Sequence, residues 1–331
     1  MLEIFQSLSG VFSCMLMIGV GFYLTSKKWF DQATARLFSK MAMSLTIPLY
    51  MIVSMMKSYT KEDLLQLGVV VVVPFVTMLI TYGVGVAASY IFRIPSYRFG
   101  TFRCMFFVAN TAFIGFPVNV ALFGDEALPY AVMYYLVQSL LFWTLGAYAM
   151  SQDGPRMAAA GLAEDDTPMT APRIFSMETL KKILTPPLIG AFVAILLIIG
   201  DVKLPAFLKH TFSSFGGMTT PLAMLFIGIS IYLVNLRSIR ITYDIVVLLV
   251  ARFIIAPAVI ILTVSFIDGV PDLMRKVFII EASMPVMTQV SIAARAFKAD
   301  YSYVAVVTAV TTCMALITIP TFFILLSFNI I

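Results

Sequence analysis

Charge is scarce in this chain of 331 residues: only 12% of positions are Asp, Glu, Lys or Arg, against about 25% in an average soluble domain. Hydrophobic residues make up 61% and the mean hydropathy is +0.98. A soluble core cannot hide that much apolar surface. Histidine occurs once, as His210, and the three cysteines Cys14, Cys104 and Cys313 lie in separate apolar runs. That spacing gives neither a disulfide framework nor a Cys/His metal cluster. There is no buried-histidine signal, no pair of aspartates within the apolar runs and no nucleophile beside a base, so an intramembrane enzyme lacks its constellation. The net charge of +5 comes from basic residues scattered among short loops, without the basic stripe and interleaved aromatics of a nucleic-acid binder. The N-terminus M-L-E-I-F-Q-S-L-S-G has no basic stretch before its apolar run, so the reading is a first membrane helix and not a cleaved signal peptide.

Long apolar runs are what the chain has instead. Runs near the roughly 20 residues that span a bilayer as a helix fall at 4–25, 33–56, 65–92, 101–123 and 127–150, then at 180–199, 206–234, 241–267, 273–296 and 301–328. The ten-residue alternation of a membrane β-barrel does not occur. The expected fold is therefore an all-α polytopic membrane protein with ten transmembrane helices. Fifteen Lys and Arg residues fall in one set of alternating loops and six in the other. Cytoplasmic loops carry the excess, which predicts both termini outside the cytoplasm and the longest loop inside. That loop, 151–179, is polar and proline-rich, and reads as a cytoplasmic linker between residues 1–150 and 180–331.

The two halves share their punctuation. Ser44 to Met51 reads S-L-T-I-P-L-Y-M and Gly217 to Met224 reads G-M-T-T-P-L-A-M. Each places T-x-P-L-x-M in the second span of its half. A second proline follows 69 residues after Pro48, at Pro117, and 64 residues after Pro221, at Pro285. With five spans per half, copies must enter the membrane from opposite sides. This is the 5+5 inverted repeat typical of secondary transporters, in which interrupted helices mark the binding site.

The interruptions carry the candidate site. In V-A-N-T-A-F-I-G-F-P-V-N, Gly115 and Pro117 can break the fourth span, while Asn110, Thr111 and Asn119 can satisfy freed backbone groups or ligate something. In I-E-A-S-M-P-V-M-T-Q, Pro285 is flanked by Glu281, Ser283, Thr288 and Gln289. Two such helices facing each other offer N-terminal amides to an anion and C-terminal carbonyls to a cation. Glu281 lies about ten residues into its span, about 15 Å deep at 1.5 Å per residue, and an intramembrane carboxylate is a functional candidate by default. Arg252 lies at similar depth in the eighth span. It either helps hold a carboxylate or forms a structural ion pair with Glu281. Gln138, Thr219 and Thr220 read as polar groups satisfied within or between helices. Asp125 and Glu126 read as a helix start in a short external turn.

At these residues the chain resembles the auxin efflux carrier family, which includes bacterial malonate and malate permeases and the plant PIN auxin carriers. The matching stretches are N-T-A-F-I-G-F-P, L-F-G-D-E-A-L-P-Y-A-V, L-T-P-P-L-I-G, T-T-P-L-A-M-L-F-I-G, A-R-F-I-I-A-P and E-A-S-M-P, in order along most of the chain. The resemblance implies two crossed broken helices, as in bile-acid sodium symporters and sodium/proton antiporters. It implies a scaffold of helices 1, 2, 6 and 7, often dimeric, a transport domain of helices 3–5 and 8–10, and elevator motion. A glutamate followed three residues later by methionine ligates sodium in the bile-acid symporters. E-A-S-M matches it here, and Asn110 stands in the place of a fourth-helix asparagine, so Glu281 and Asn110 are the coupling-ion candidates. Pro285 departs from that pattern, where those symporters have glutamine.

The expected function is secondary active transport of a small organic anion, a dicarboxylate such as malonate or malate. No cofactor is expected beyond a coupling ion, with sodium and protons both open. The rival substrate is an auxin-like or bile-acid-like monocarboxylate, and the rival function is a transporter-derived membrane sensor or interaction protein that binds an anion without flux. The expected partners are the anion, membrane lipid and a second copy through the scaffold helices, with no nucleic acid. The expected location is the inner (plasma) membrane of a bacterium.

Overall fold

The computed structural model describes residues 2–162, 184–234, 241–267 and 269–328, with side chains described from residue 12 onward and outside 62–70. In chain order the helices are α1 (Leu2–Ser26), α2 (Gln32–Ser58), α3 (Lys61–Ile91), α4 (Phe99–Phe107), α5 (Thr111–Phe123) and α6 (Asp125–Ala159). They continue with α7 (Pro186–Ile199), α8 (Ala206–Leu233), α9 (Tyr243–Ser265), α10 (Asp272–Ala282), α11 (Gln289–Ala296) and α12 (Tyr301–Ser327). Among the described residues there is no strand, and α2, α3, α6, α8, α9 and α12 are each long and apolar enough to cross a membrane. Large apolar side chains face outward where a soluble protein would place charge, including Phe266 (85% exposed), Trp29 (76%) and Ile317 (72%). The protein is an integral membrane protein.

Three prolines widen their helices and do not break them. Three π turns, Ala42–Thr46, Thr111–Gly115 and Ala251–Ile255, each end two residues before a proline: Pro48, Pro117 and Pro257. Proline lacks the N–H for its own bond and its ring collides with the carbonyl four residues back. A turn with i→i+5 bonds moves that carbonyl aside while the helix continues. This corrects one sequence expectation. Gly115 and Pro117 do not open the fourth span; the opening lies at Val108–Asn110, about two turns earlier, and Pro117 continues α5.

Helix α1 packs along α8, and α2 packs on α7 and α8. The α1–α8 approach is backbone against backbone: a Cβ on Gly228 would lie 2.2 Å from the Ile18 carbonyl oxygen, and one on Gly21 would lie 2.6 Å from that of Leu225. Helix α3 packs on α4, α6 and α9, and α10 packs against α6. The two T-x-P-L-x-M copies touch, since the Thr219 hydroxyl donates to the Thr46 hydroxyl at 2.9 Å.

One expected boundary moves. The helix that was to end at Met150 runs on to Ala159, taking Asp153 out of the linker and burying it. Its carboxylate accepts from the Gly100 and Thr101 amides at 2.8 and 2.7 Å, at the N-terminus of α4, where orphan donors and the helix dipole favour an anion. Residues 163–183, which hold the rest of that linker, lie outside the described residues.

Two ionic clusters tie helix ends together. At one end Arg98 bonds Asp244 at the start of α9 (3.1 Å) and Asp300 ahead of α12 (2.7 Å). Burial works against its charge, but the Asp300 hydrogen bond and the two carboxylates offset this, so the guanidinium is held above its ordinary pKa. At the other end Asp125, opening α6, accepts from the Tyr50 hydroxyl and from Lys57 (3.2 Å), and its carbonyl accepts from Ser54 (3.1 Å). All three donors stand on α2.

Candidate functional site

The chain between α4 and α5 and the chain between α10 and α11 leave helix at the same place in space and cross. Ala109 and Val286 form an isolated antiparallel bridge, and the Asn110 amide donates to the Pro285 carbonyl at 2.7 Å. Backbone polar groups buried in such a region must all find partners, and helices distant in sequence supply them. Gln138 of α6 accepts from the Ala109 amide (2.8 Å) and donates to its carbonyl (2.7 Å), standing in for a neighbouring peptide. Thr311 of α12 accepts from the Val286 amide at 3.2 Å.

Arg252 serves both breaks. Its Nη1 donates to the carbonyl of Phe106 near the end of α4 (3.0 Å), and its Nη2 donates to those of Ala282 and Met284 at the end of α10 (both 2.9 Å). The residue is 1% exposed, and among the described residues neither it nor Glu281 enters an ion pair. The alternative in which these two residues pair is not formed. Gln138 was legible as a polar group satisfied across an interface. Thr311 was not singled out at all, because a threonine in an apolar run gives no sign of which backbone group it meets.

Glu281 is fully buried. Asn119 Nδ2 donates to its Oε1 at 2.9 Å and also to the Gly115 carbonyl at 2.9 Å, while Oε2 has no partner. The carboxyl lies against Gly115, where a Cβ would come within 2.2 Å of Oε2. Gly115 is thus a residue of close approach, and the fifth helix and the tenth meet through it. Asn119, Gly115 and Glu281 come together, Asn110 faces the cavity instead, and Ser283 turns back onto the Ile280 carbonyl (2.8 Å) as a helix end.

A cavity of about 410 Å³ reaches the crossing from the end that carries Gln32 and Tyr301. Its walls include Asn110, just ahead of α5, with Ile114 from its first turn, and Thr288, just ahead of α11, with Ser291 from its first turn. Thr308 and Phe226 complete the inner part. Among the described residues no lysine, arginine or histidine lines it, and Arg252 is not among its walls. Asn110 is 2% exposed, and its Nδ2 has no hydrogen-bond partner. The Thr111 hydroxyl is engaged by Gln138 Nε2 at 3.2 Å, and Gln289 Oε1 has no partner. Amide-rich helix starts, hydroxyls and an uncommitted carboxamide form a surface suited to an anion or a hydrogen-bond acceptor. Among the described residues no group of three metal-ligating side chains occurs.

A family model described as membrane transport protein matches residues 7–323. An uncharacterized transporter of Methanocaldococcus jannaschii is 24% identical over 313 residues, a match covering 92% of this chain and 94% of that protein.

Proposed function

Since the chain belongs to the membrane transport protein family, that of the auxin efflux carriers, we propose that it is a secondary active transporter of a small organic anion. The observation that carries this reading is the cavity of about 410 Å³ bounded by the first turns of two broken helices, with the free Nδ2 of Asn110 at its wall. Each helix N-terminus is equivalent to roughly +0.5 elementary charge, so the wall attracts a carboxylate. With the positive-charge rule placing the Gln32 and Tyr301 end in the cytoplasm, the cavity is open inward.

A dicarboxylate such as malonate or malate is the first substrate to test. A monocarboxylate with an apolar body is the second reading, favoured by Phe226, Ile231, Leu233 and Val234 in the cavity wall. Ten spans in a 5+5 inverted repeat accommodate the contact between Thr46 and Thr219, equivalent positions of the two copies. The packing of α1, α2, α7 and α8 on one another supports a scaffold against which the remaining helices move as an elevator. A homodimer through that scaffold belongs to the same proposal. Glu281, buried with one oxygen unpartnered, is the coupling group, for sodium or for a proton.

The test is uptake by purified protein in liposomes, with labelled mono- and dicarboxylates under imposed sodium, proton and voltage gradients. Asn110→Ala should weaken substrate affinity about tenfold, corresponding to about 1.4 kcal/mol; unchanged affinity would remove Asn110 from the site. Glu281→Gln should abolish the response to the driving cation, and a variant with unaltered ion dependence would end the coupling role. Binding without flux for every compound would turn the reading towards a sensor.

A further inference from the structure

Arg252 sits where an ion would be expected. Each half-helix that ends at the crossing presents unsatisfied carbonyls and a C-terminal dipole end equivalent to roughly −0.5 elementary charge. The ends of α4 and α10 converge, so together they ask for about one positive charge. A fork-shaped guanidinium supplies one charge and several in-plane donors. In this protein two of its nitrogens reach three carbonyls, on Phe106, Ala282 and Met284, from a side chain 1% exposed. The π turn Ala251–Ile255 holds the residue, and Pro257, two residues beyond the end of that turn, gives the turn a reason to form.

We propose that Arg252 is the resident cation of the crossing: a positioning residue that clamps the carbonyl ends of both broken helices and takes the place of a bound metal ion there. The substrate-facing ends and the carbonyl-facing ends are thereby divided. Arg252 neutralises the negative ends internally and never enters the cavity, leaving the positive helix starts as the unbalanced charge that meets the substrate. The clamp also joins the two repeats, since α4 belongs to the first and α10 to the second. Its geometry stands apart from the transport reading, which is used only for the uptake readout below.

The experiment compares wild type with Arg252→Met and Arg252→Lys in detergent, by thermal unfolding with and without millimolar guanidinium, far below denaturing concentrations, and with choline as the control salt. Arg252→Met should lower the unfolding midpoint by on the order of 5–10 °C. Guanidinium, and not choline, should restore at least half of that loss while leaving wild type unmoved. Arg252→Lys, which keeps a charge but not the fork, should fall between the two. In liposomes, anion uptake by Arg252→Met should drop at least tenfold and recover in part with guanidinium. A Met variant as stable as wild type would overturn the proposal, as would a loss that guanidinium does not touch with Lys no better than Met. Should the Met variant not accumulate, Arg252→Lys and Arg252→Gln carry the same test, because a charge-dependent clamp requires Lys to be the more stable. Absence of uptake by wild type itself would count against the transport reading alone, since the unfolding arm does not depend on substrate.

Discussion

At the first break Ala109 exchanges two hydrogen bonds with one side chain, Gln138, whereas at the second Val286 finds a single acceptor in Thr311. The second break contributes the carboxyl group, Glu281, and the first contributes the amide and the glycine that receive it, Asn119 and Gly115. The prolines differ as well. Pro285 stands inside its break and lends its carbonyl to Asn110, while Pro117 lies two turns beyond the opening and widens a helix that continues. Two halves with the same punctuation have therefore divided the chemistry of one site between them. What they share is the requirement that every freed backbone group be paired; what differs is the side chain that answers it.

This contrast can be broken from either side. Gln138→Leu strips partners from both polar groups of Ala109, at about 1–3 kcal/mol for each buried group left unpaired, so roughly 2–6 kcal/mol in all. Folded protein in detergent should largely disappear, as read by size exclusion and thermal unfolding. Gly115→Ala comes next. The added methyl would lie 2.2 Å from Glu281 Oε2, so the carboxyl must move. The expected cost is about 1–3 kcal/mol of stability, with a proportionally larger loss of uptake than of stability if the carboxyl it displaces is the coupling group proposed above. Thr311→Val leaves only the Val286 amide unpaired and should cost about 1–3 kcal/mol. A Thr311→Val loss equal to that of Gln138→Leu would erase the asymmetry drawn here. Smallest is Lys57→Met, which removes a pair whose side chains are 65% and 41% exposed. Exposed pairs contribute about 0–1 kcal/mol, so stability should hardly change and any effect should appear in the rate of transport.

Much of the architecture was legible in the sequence. Apolar runs of bilayer length, matched T-x-P-L-x-M stretches and two interrupted spans were all visible, because hydrophobicity and proline act through neighbours in the chain. The boundaries were less so: the opening fell at Val108–Asn110 and not at Gly115 and Pro117, and α6 ran past Met150 because Asp153 is buried as the cap of α4. Asn110 and Glu281 stood out as polar residues in interrupted apolar spans and by the family resemblance. Their partners did not, and Arg252 was read as facing either a substrate or Glu281 when it faces three carbonyls.

The sequence by itself determined that this chain is a membrane protein of apolar helices, where those helices are interrupted, and that a carboxylate lies deep among them. Only the tertiary structure decided what fills the interruptions. An unwound backbone is completed by side chains from helices distant in sequence, and residue spacing does not encode how those helices are rotated or which faces they bring together.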